Sequence, residues 1–266
     1  KILLPRILSQ LDPRRRSAPA NVTSARIRPE AAFFAIGDIH GCAKALRSLI
    51  ETIAPTADDE LIFLGDYIDR GPDSKNVIDQ ILELQNRCRV IALRGNHEIM
   101  LMGVTAGLDD TIWRNSGGHA TLASYGGSLQ KIPDDHIDFF RSLRAFYEVE
   151  ESIFVHANYV HSVAMPLQDE ATMFWKHLDF PLPLPHCSGK RVFLGHTPQP
   201  GGNVLDSGYF VCIDTYCFGG GYLTAIEPST GETIQTDRHG HARRTPMRTI
   251  VDRFGRATRF LGSKFQ

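Results

Sequence analysis

The chain has 266 residues, 42% of them hydrophobic and 22% charged, with a formal net charge of −1. This is the composition of an ordinary globular protein and excludes a collagen-like, low-complexity or wholly disordered chain. No apolar run approaches the roughly 20 residues that span a bilayer. Five cysteines without CxxC spacing argue against a structural zinc site or a disulfide framework.

The near-zero net charge hides a division. Residues 1–30 hold seven Lys and Arg against Asp12 and Glu30, and residues 237–266 hold eight against Asp237 and Asp252. The stretch between is correspondingly acidic, as expected where carboxylates await cations. We read a basic N-terminal extension (1–30), a domain at 31–236 and a basic C-terminal segment (237–266). Solvated tails are the first reading of the two ends, and binding of an acidic partner the second. The opening KILLPRIL is broken by Pro5 and Arg6 and makes a poor secretory leader, so a cytoplasmic location is expected.

In chain order, five short apolar runs read as buried strands, each followed by a polar cluster. Phe33–Ile36 precedes GDIHG at 37–41, Leu61–Leu64 precedes GDYIDRG at 65–71, and Val90–Leu93 precedes RGNHE at 94–98. Ile153–Val155 runs into VHA at 155–157, and Val192–Leu194 precedes GHTP at 195–198, with IDT following at 213–215. Helices fill the intervals. Leu46, Leu49, Ile50 and Ile53 form one helical stripe, and Pro72–Ser74 opens a helix that turns Val77, Ile78, Ile81 and Leu82 inward. Asp134 and Asp135 supply an acidic first turn for a helix carrying Ile137, Phe140 and Leu143. Strand, motif and helix recur twice at the start, which argues for βαβ units with the motifs at the carboxyl ends of strands.

The clusters carry ligand chemistry. Asp38 and His40, two apart, project to one side of an extended segment. A carboxylate with an imidazole suits Mn, Fe or Zn, whereas an all-oxygen site suits Mg. Asp66 can bridge two ions with its two oxygens, and Asn96, His156 and His196 complete the second. His97 follows Asn96 directly and can lie near the ions without being spent on them, as a proton donor oriented by Asp69. Arg70 and Arg94 offer guanidinium forks for phosphoryl oxygens, with Asn96 beside them. Any one cluster alone reads as a turn or a core histidine; five after five strands do not.

GD-x-HG, GD-x-x-DRG and GNHE in this order resemble the phosphoprotein-phosphatase family of dinuclear metallophosphoesterases. VHA, GHTP, IDT…GGGYLTA and the segment WRNSGGHATLASYG at 113–126 resemble its bacterial branch, which includes the phage lambda protein phosphatase and diadenosine tetraphosphate hydrolases. The resemblance implies a four-layer α/β fold, two packed mixed β-sheets flanked by helices. It also implies one ion on Asp38, His40 and Asp66, and another on Asp66, Asn96, His156 and His196. Manganese is the first choice, with Fe, Zn or Mg as alternatives. A hydroxide held between the ions would attack phosphorus in line, with His97 as general acid paired to Asp69 and Arg70 binding phosphate. The first reading is a serine/threonine protein phosphatase acting on a phosphorylated protein. The alternatives are a diadenosine tetraphosphate hydrolase and, in another class, a metal-binding interaction module whose catalysis has decayed.

Two departures from the family pattern bear on the substrate. The expected W-x-R arginine is replaced by Trp175-Lys176-His177, and Tyr216 stands where relatives have glycine after IDT. PLPLP at 181–185 is expected to be a rigid extended loop.

Overall fold

The protein is described here by a computed structural model covering residues 33–243. The expected N-terminal extension and all but the first residues of the C-terminal segment lie outside the described residues.

Three parallel strands start the fold: β1 (Phe33–Ile36), β2 (Glu60–Phe63) and β3 (Arg89–Ala92), joined by α1 (Ala43–Ile53) and α2 (Ser74–Leu84). α3 (Asn96–Thr105), α4 (Thr111–Trp113), α5 (His119–Ser124) and α6 (Asp134–Ser142) follow. A second sheet is then built from β4 (Phe146–Glu148), β5 (Ser152–Val155), β6 (Arg191–Leu194), β7 (Leu205–Asp206) and β8 (Phe210–Cys212), with α7 (Glu170–Trp175) between β5 and β6. The chain returns to the first sheet through β9 (Tyr222–Ile226) and β10 (Thr233–Asp237). The two sheets have strand orders β10-β9-β1-β2-β3 and β4-β5-β6-β8-β7. Each is mixed: β9 and β10 add antiparallel to the β1 side of the first sheet, and β4 and β7 add antiparallel to the parallel β5, β6 and β8 of the second.

Alternation along the strands builds the layers. Ala35, Ile62, Ile91, Phe154, Phe193 and Val211 face the space between the sheets. Their neighbours Phe34, Ile36, Leu61 and Phe63 face α1, α2 and α6 on one side. On the other side, Ile153, Val155, Val192, Leu194, Phe210 and Cys212 face Phe174 of α7, Tyr159 and Met165. The outer layer over the second sheet is therefore thin, one short helix and connecting segments. The expected helices form with small shifts in their inward faces: Leu84 is buried where Leu82 is only partly so, and α6 buries His136, Phe139 and Phe140. Asp73 caps α2, its carboxylate accepting from the Asn76 N–H.

After β10 the chain stays on the domain as far as it is described. Thr236 donates to the Ala45 carbonyl at 2.9 Å, and Arg243 lies over the Tyr222 ring while donating to Gln235 at 2.8 Å. Among the described residues no helix is long and apolar enough to cross a membrane.

Phe154 sits fully buried at the centre of the sandwich, stacked on Phe193 at 5.2 Å and edge-on to Phe33 at 5.5 Å. Phe154→Ala should therefore lower unfolding free energy by about 3–5 kcal/mol, read as a fall in denaturant midpoint. A change below about 1 kcal/mol would mean that the sheets are not held by this layer.

Candidate metal centre

Both parallel strand triplets end at one seam, and every motif begins there. β1 leads to Asp38 and His40, β2 to Asp66, β3 to Asn96, β5 to His156, β6 to His196 and β8 to Asp214. The turns are tight. Among the described non-glycine residues, His40, Asp66, Asp69, Arg70, His196 and Tyr216 all take positive φ, with Ala54 the remaining case. Such backbone costs about 1–3 kcal/mol per residue and persists where surrounding contacts over-determine it. His40, at φ 45°, shows that the segment after β1 is not extended as expected; it turns left-handed and still carries the imidazole to Asp66.

Asp66 lies between two groups of donors. Its Oδ2 is 3.4 Å from His40 Nε2, and its Oδ1 is 3.4 Å from His156 Nε2. Asn96 Oδ1 completes the second group, 3.1 Å from His156 Nε2 and 3.2 Å from His196 Nδ1. All three imidazoles are oriented through their other nitrogen. His40 Nδ1 donates to the Ile68 carbonyl at 2.9 Å, His156 Nδ1 to Leu64 at 2.8 Å and His196 Nε2 to Trp175 at 3.2 Å. A carbonyl only accepts, so the inward nitrogen of each ring keeps its lone pair, the arrangement a metal-ligating histidine needs. Asp38 lies beside them, its carboxylate accepting from the His196 backbone N–H at 3.0 Å.

The charge balance fits divalent cations. Burial, then the charges of Asp214 and Asp66, push Asp38 well above the usual carboxylate range. Burial pushes Asp214 up to about 7. It also holds His40 and His156 below the ordinary histidine value and His196 down to about 3, so the three rings stay neutral near pH 7. Burial opposes ionisation of Asp66 too, but the surrounding imidazoles outweigh it and hold that carboxyl well below its usual range. Three clustered acids with neutral imidazoles lack the positive charge that ions would bring. The backbone also leaves room for this set: a Cβ on Gly95 would overlap Asp66 Oδ1.

His97 stands at the edge of this set. Its Nδ1 is 2.6 Å from Asp69 Oδ2, and both side chains are buried. Burial would lower the His97 pKa, but Asp66 and Asp69 outweigh it and raise the value above the ordinary one. Asp69 is itself held by Trp113 Nε1, donating at 2.9 Å, and by Thr121 Oγ1, donating at 2.6 Å. The 113–126 segment therefore braces the His97–Asp69 pair, a role its sequence did not disclose. Gly117 in that segment takes φ 112° and lies against Arg70, whose N–H donates to the Gly117 carbonyl at 3.3 Å.

Glu98 was likewise silent in the sequence beyond its place in GNHE. Fully buried, it accepts from the backbone N–H groups of Asp66, Tyr67 and Gly95 at 3.0, 2.9 and 3.0 Å. It ties the β2 turn to the start of α3, where the His97 N–H also donates to Asp66 Oδ1 at 3.2 Å. Asp214, noted only as part of IDT, is a further buried acid of the seam, beside Asp38 and Asp66.

The arginines separate. Arg70 Nη2 lies 3.2 Å from His97 Nε2, and its guanidinium lies 4.7 Å above the Phe218 ring. Phe218 is also edge-on to His40 at 5.0 Å. Arg94 donates from Nη2 to the Leu143 carbonyl at 3.2 Å, a bond that ties β3 to the end of α6. At the mouth, the His177 ring stacks on His196 at 4.4 Å while Lys176 is exposed. Tyr216 packs on Phe218 at 4.8 Å and against Gly219.

Trp113→Phe keeps the ring and removes its N–H from Asp69. We expect about a tenfold fall in kcat for an aryl phosphate, with bound metal unchanged; an unaltered kcat would show that Asp69 needs no such brace.

The sequence model of the calcineurin-like phosphoesterases matches residues 31–221. A symmetrical bis(5'-nucleosyl)-tetraphosphatase of Burkholderia pseudomallei (strain 668) is 45% identical over 144 residues, which is 52% of this chain and 44% of the relative. The matched region thus spans less than half the length of that relative. Among solved structures, a putative diadenosine tetraphosphatase superposes with TM-score 0.59 at 20% identity, over 79% of this chain and 94% of that one. A cold-active protein-tyrosine phosphatase of a psychrophilic Shewanella gives 0.57 at 15% identity, over 80% of each. At these identities the superpositions speak to the fold, which is the two-sheet architecture described above. The extent of the family match settles the assignment: the chain belongs to the calcineurin-like phosphoesterase family.

Proposed function

We propose that the chain hydrolyses the anhydride of a dinucleoside tetraphosphate in a site holding two divalent ions. The observation that carries this reading is the 45% identity to relatives named as symmetrical tetraphosphatases. The serine/threonine phosphatase reading, first from the motifs, rests on residues that both activities share. Manganese is the first candidate, with Fe, Zn and Mg behind it, because the donors mix imidazole with carboxylate and amide oxygen.

Ions bound between the donor groups would acidify a water and offset phosphoryl charge. Asp38, His40 and Asp66 would hold one, and Asp66, Asn96, His156 and His196 the other. Arg70 presents its fork to the non-bridging oxygens of the phosphate under attack. His97, neighbour to Arg70 and raised in pKa, carries the proton needed by the departing oxygen. Asp69 keeps Nδ1 engaged so that Nε2 faces the reaction. In the balanced step a water oxygen bonds to one central phosphorus, its proton passing to solvent, and the central P–O–P bridge breaks. The bridging oxygen leaves with the other half, taking the His97 proton. Two nucleoside diphosphates result.

A panel of diadenosine tetraphosphate, a phosphoserine peptide and an aryl phosphate, run with Mn, Mg, Zn or chelator, tests the reading. We expect kcat/KM for the tetraphosphate at least tenfold above that for the peptide, ADP as the nucleotide product, and loss of turnover with chelator. Preference for the peptide would overturn the substrate, and turnover indifferent to chelation would overturn the metal chemistry. His97→Ala should cost roughly 10²–10⁴ in kcat with the fold kept. Near-normal turnover in that variant would remove His97 from its role. Complete inactivity on all three substrates would favour the decayed interaction module.

A further inference from the structure

We propose that the cavity beside Arg70 seats the departing half of the substrate, a nucleoside diphosphate. The proposal rests on the tetraphosphate reading above. The cavity has a volume of about 510 Å³, within the range that takes a small-molecule ligand. Buried Ala43 and half-buried Phe218 give it an apolar floor, and its exposed edge carries Pro72, Lys44, Arg238 and His239.

Position is the first argument. The proton donor defines the side from which the leaving oxygen departs. His97 Nε2 is 3.2 Å from Arg70 Nη2, Arg70 lies over Phe218, and Arg70 and Phe218 both line this cavity. A group released beside His97 and Arg70 therefore has this cavity next to it.

Charge is the second argument. The departing half of a tetraphosphate carries a terminal phosphate released at the reaction centre and an inner one beyond it. Arg70 is committed to the reacting phosphate, so the inner one needs cations of its own. Lys44 lies in the first turn of α1, and Arg238 and His239 follow β10. β10 is drawn to α1 by the Thr236 bond to Ala45, and Gly240 lies against the Lys44 carbonyl, so the basic rim closes from both sides. Among the described residues no carboxylate pairs with Lys44 or Arg238, and the Arg238 guanidinium donates only to the His239 ring at 3.3 Å. The one acid in the lining, Asp73, is held at the start of α2 by Asn76 Nδ2 at 2.8 Å and leaves Lys44, Arg70 and Arg238 in excess over a single carboxylate. A phosphopeptide's departing serine hydroxyl brings no anion for these cations, whereas a nucleoside diphosphate does. The apolar floor then suits the nucleoside.

The test uses Lys44→Ala, Arg238→Ala and the double variant of the full chain. Two quantities are read: kcat/KM for diadenosine tetraphosphate relative to an aryl phosphate, and ADP affinity by calorimetry. We expect the double variant to lower the kcat/KM ratio at least tenfold and to weaken ADP binding by a similar factor. An unchanged ratio and unchanged ADP affinity in the double variant would overturn the seat, as would an equal fall on both substrates. The two readings can fail separately. Wild-type protein that leaves diadenosine tetraphosphate intact, yet binds ADP through Lys44 and Arg238, would sink the substrate and support the seat. Wild-type protein that cleaves it, with the double variant indistinguishable, would do the reverse.

Discussion

The carboxylate of Asp66 is the constraint on which the rest of the site depends. One oxygen faces His40 and the other faces His156, so a single side chain joins donors from two sheets. To point both oxygens into the seam, the backbone after β2 takes φ 53°, and Gly95 must lack a Cβ. Glu98 then fastens that turn by gathering the N–H groups of Asp66, Tyr67 and Gly95. The first turn of α3 supplies a further N–H to Asp66, where a helix start favours negative charge. Strain at the turn is thus offset by contacts made one residue from the His97–Asp69 pair.

The same arrangement explains why two sheets are needed. A single parallel sheet aims its loops at one crevice, as open α/β sheets do. Here two parallel triplets, β1-β2-β3 and β5-β6-β8, finish at a shared seam, and neither supplies all the donors gathered there. The first contributes Asp38, His40, Asp66 and Asn96; the second contributes His156 and His196. The apolar layer between the sheets, with Phe154 and Phe193 stacked in it, sets the distance between these two half-sites. Packing in the sandwich and geometry at the seam are therefore one problem.

Much of this was legible in the sequence because it is local. Strand, motif and helix follow one another within a few residues, so periodicity locates the strands and the motifs name the donors. The His97–Asp69 pairing was legible as a resemblance. What was not legible acts across long separations. Trp113 and Thr121 reach Asp69 from 44 and 52 residues away, and a tryptophan or threonine in a Gly-rich stretch carries no sign of its partner. Glu98 read as part of a motif, while its work is done on a turn 32 residues earlier. Arg94 shows the same limit: a guanidinium beside GNHE suggests phosphate, and its bond to the Leu143 carbonyl, 49 residues on, is visible only in the fold. Substrate choice was the least legible of all. The metal motifs resemble those of protein and nucleotide hydrolases alike, so they name the chemistry and leave the substrate open.

The central claim is that one carboxylate organises two ions. Metal-loaded crystals measured at the absorption edge of manganese would test it most directly. Two anomalous peaks are expected roughly 3.5–4 Å apart, with Asp66 between them and His40 and His156 on opposite sides. A single peak, or a second one outside the reach of Asp66, would contradict it.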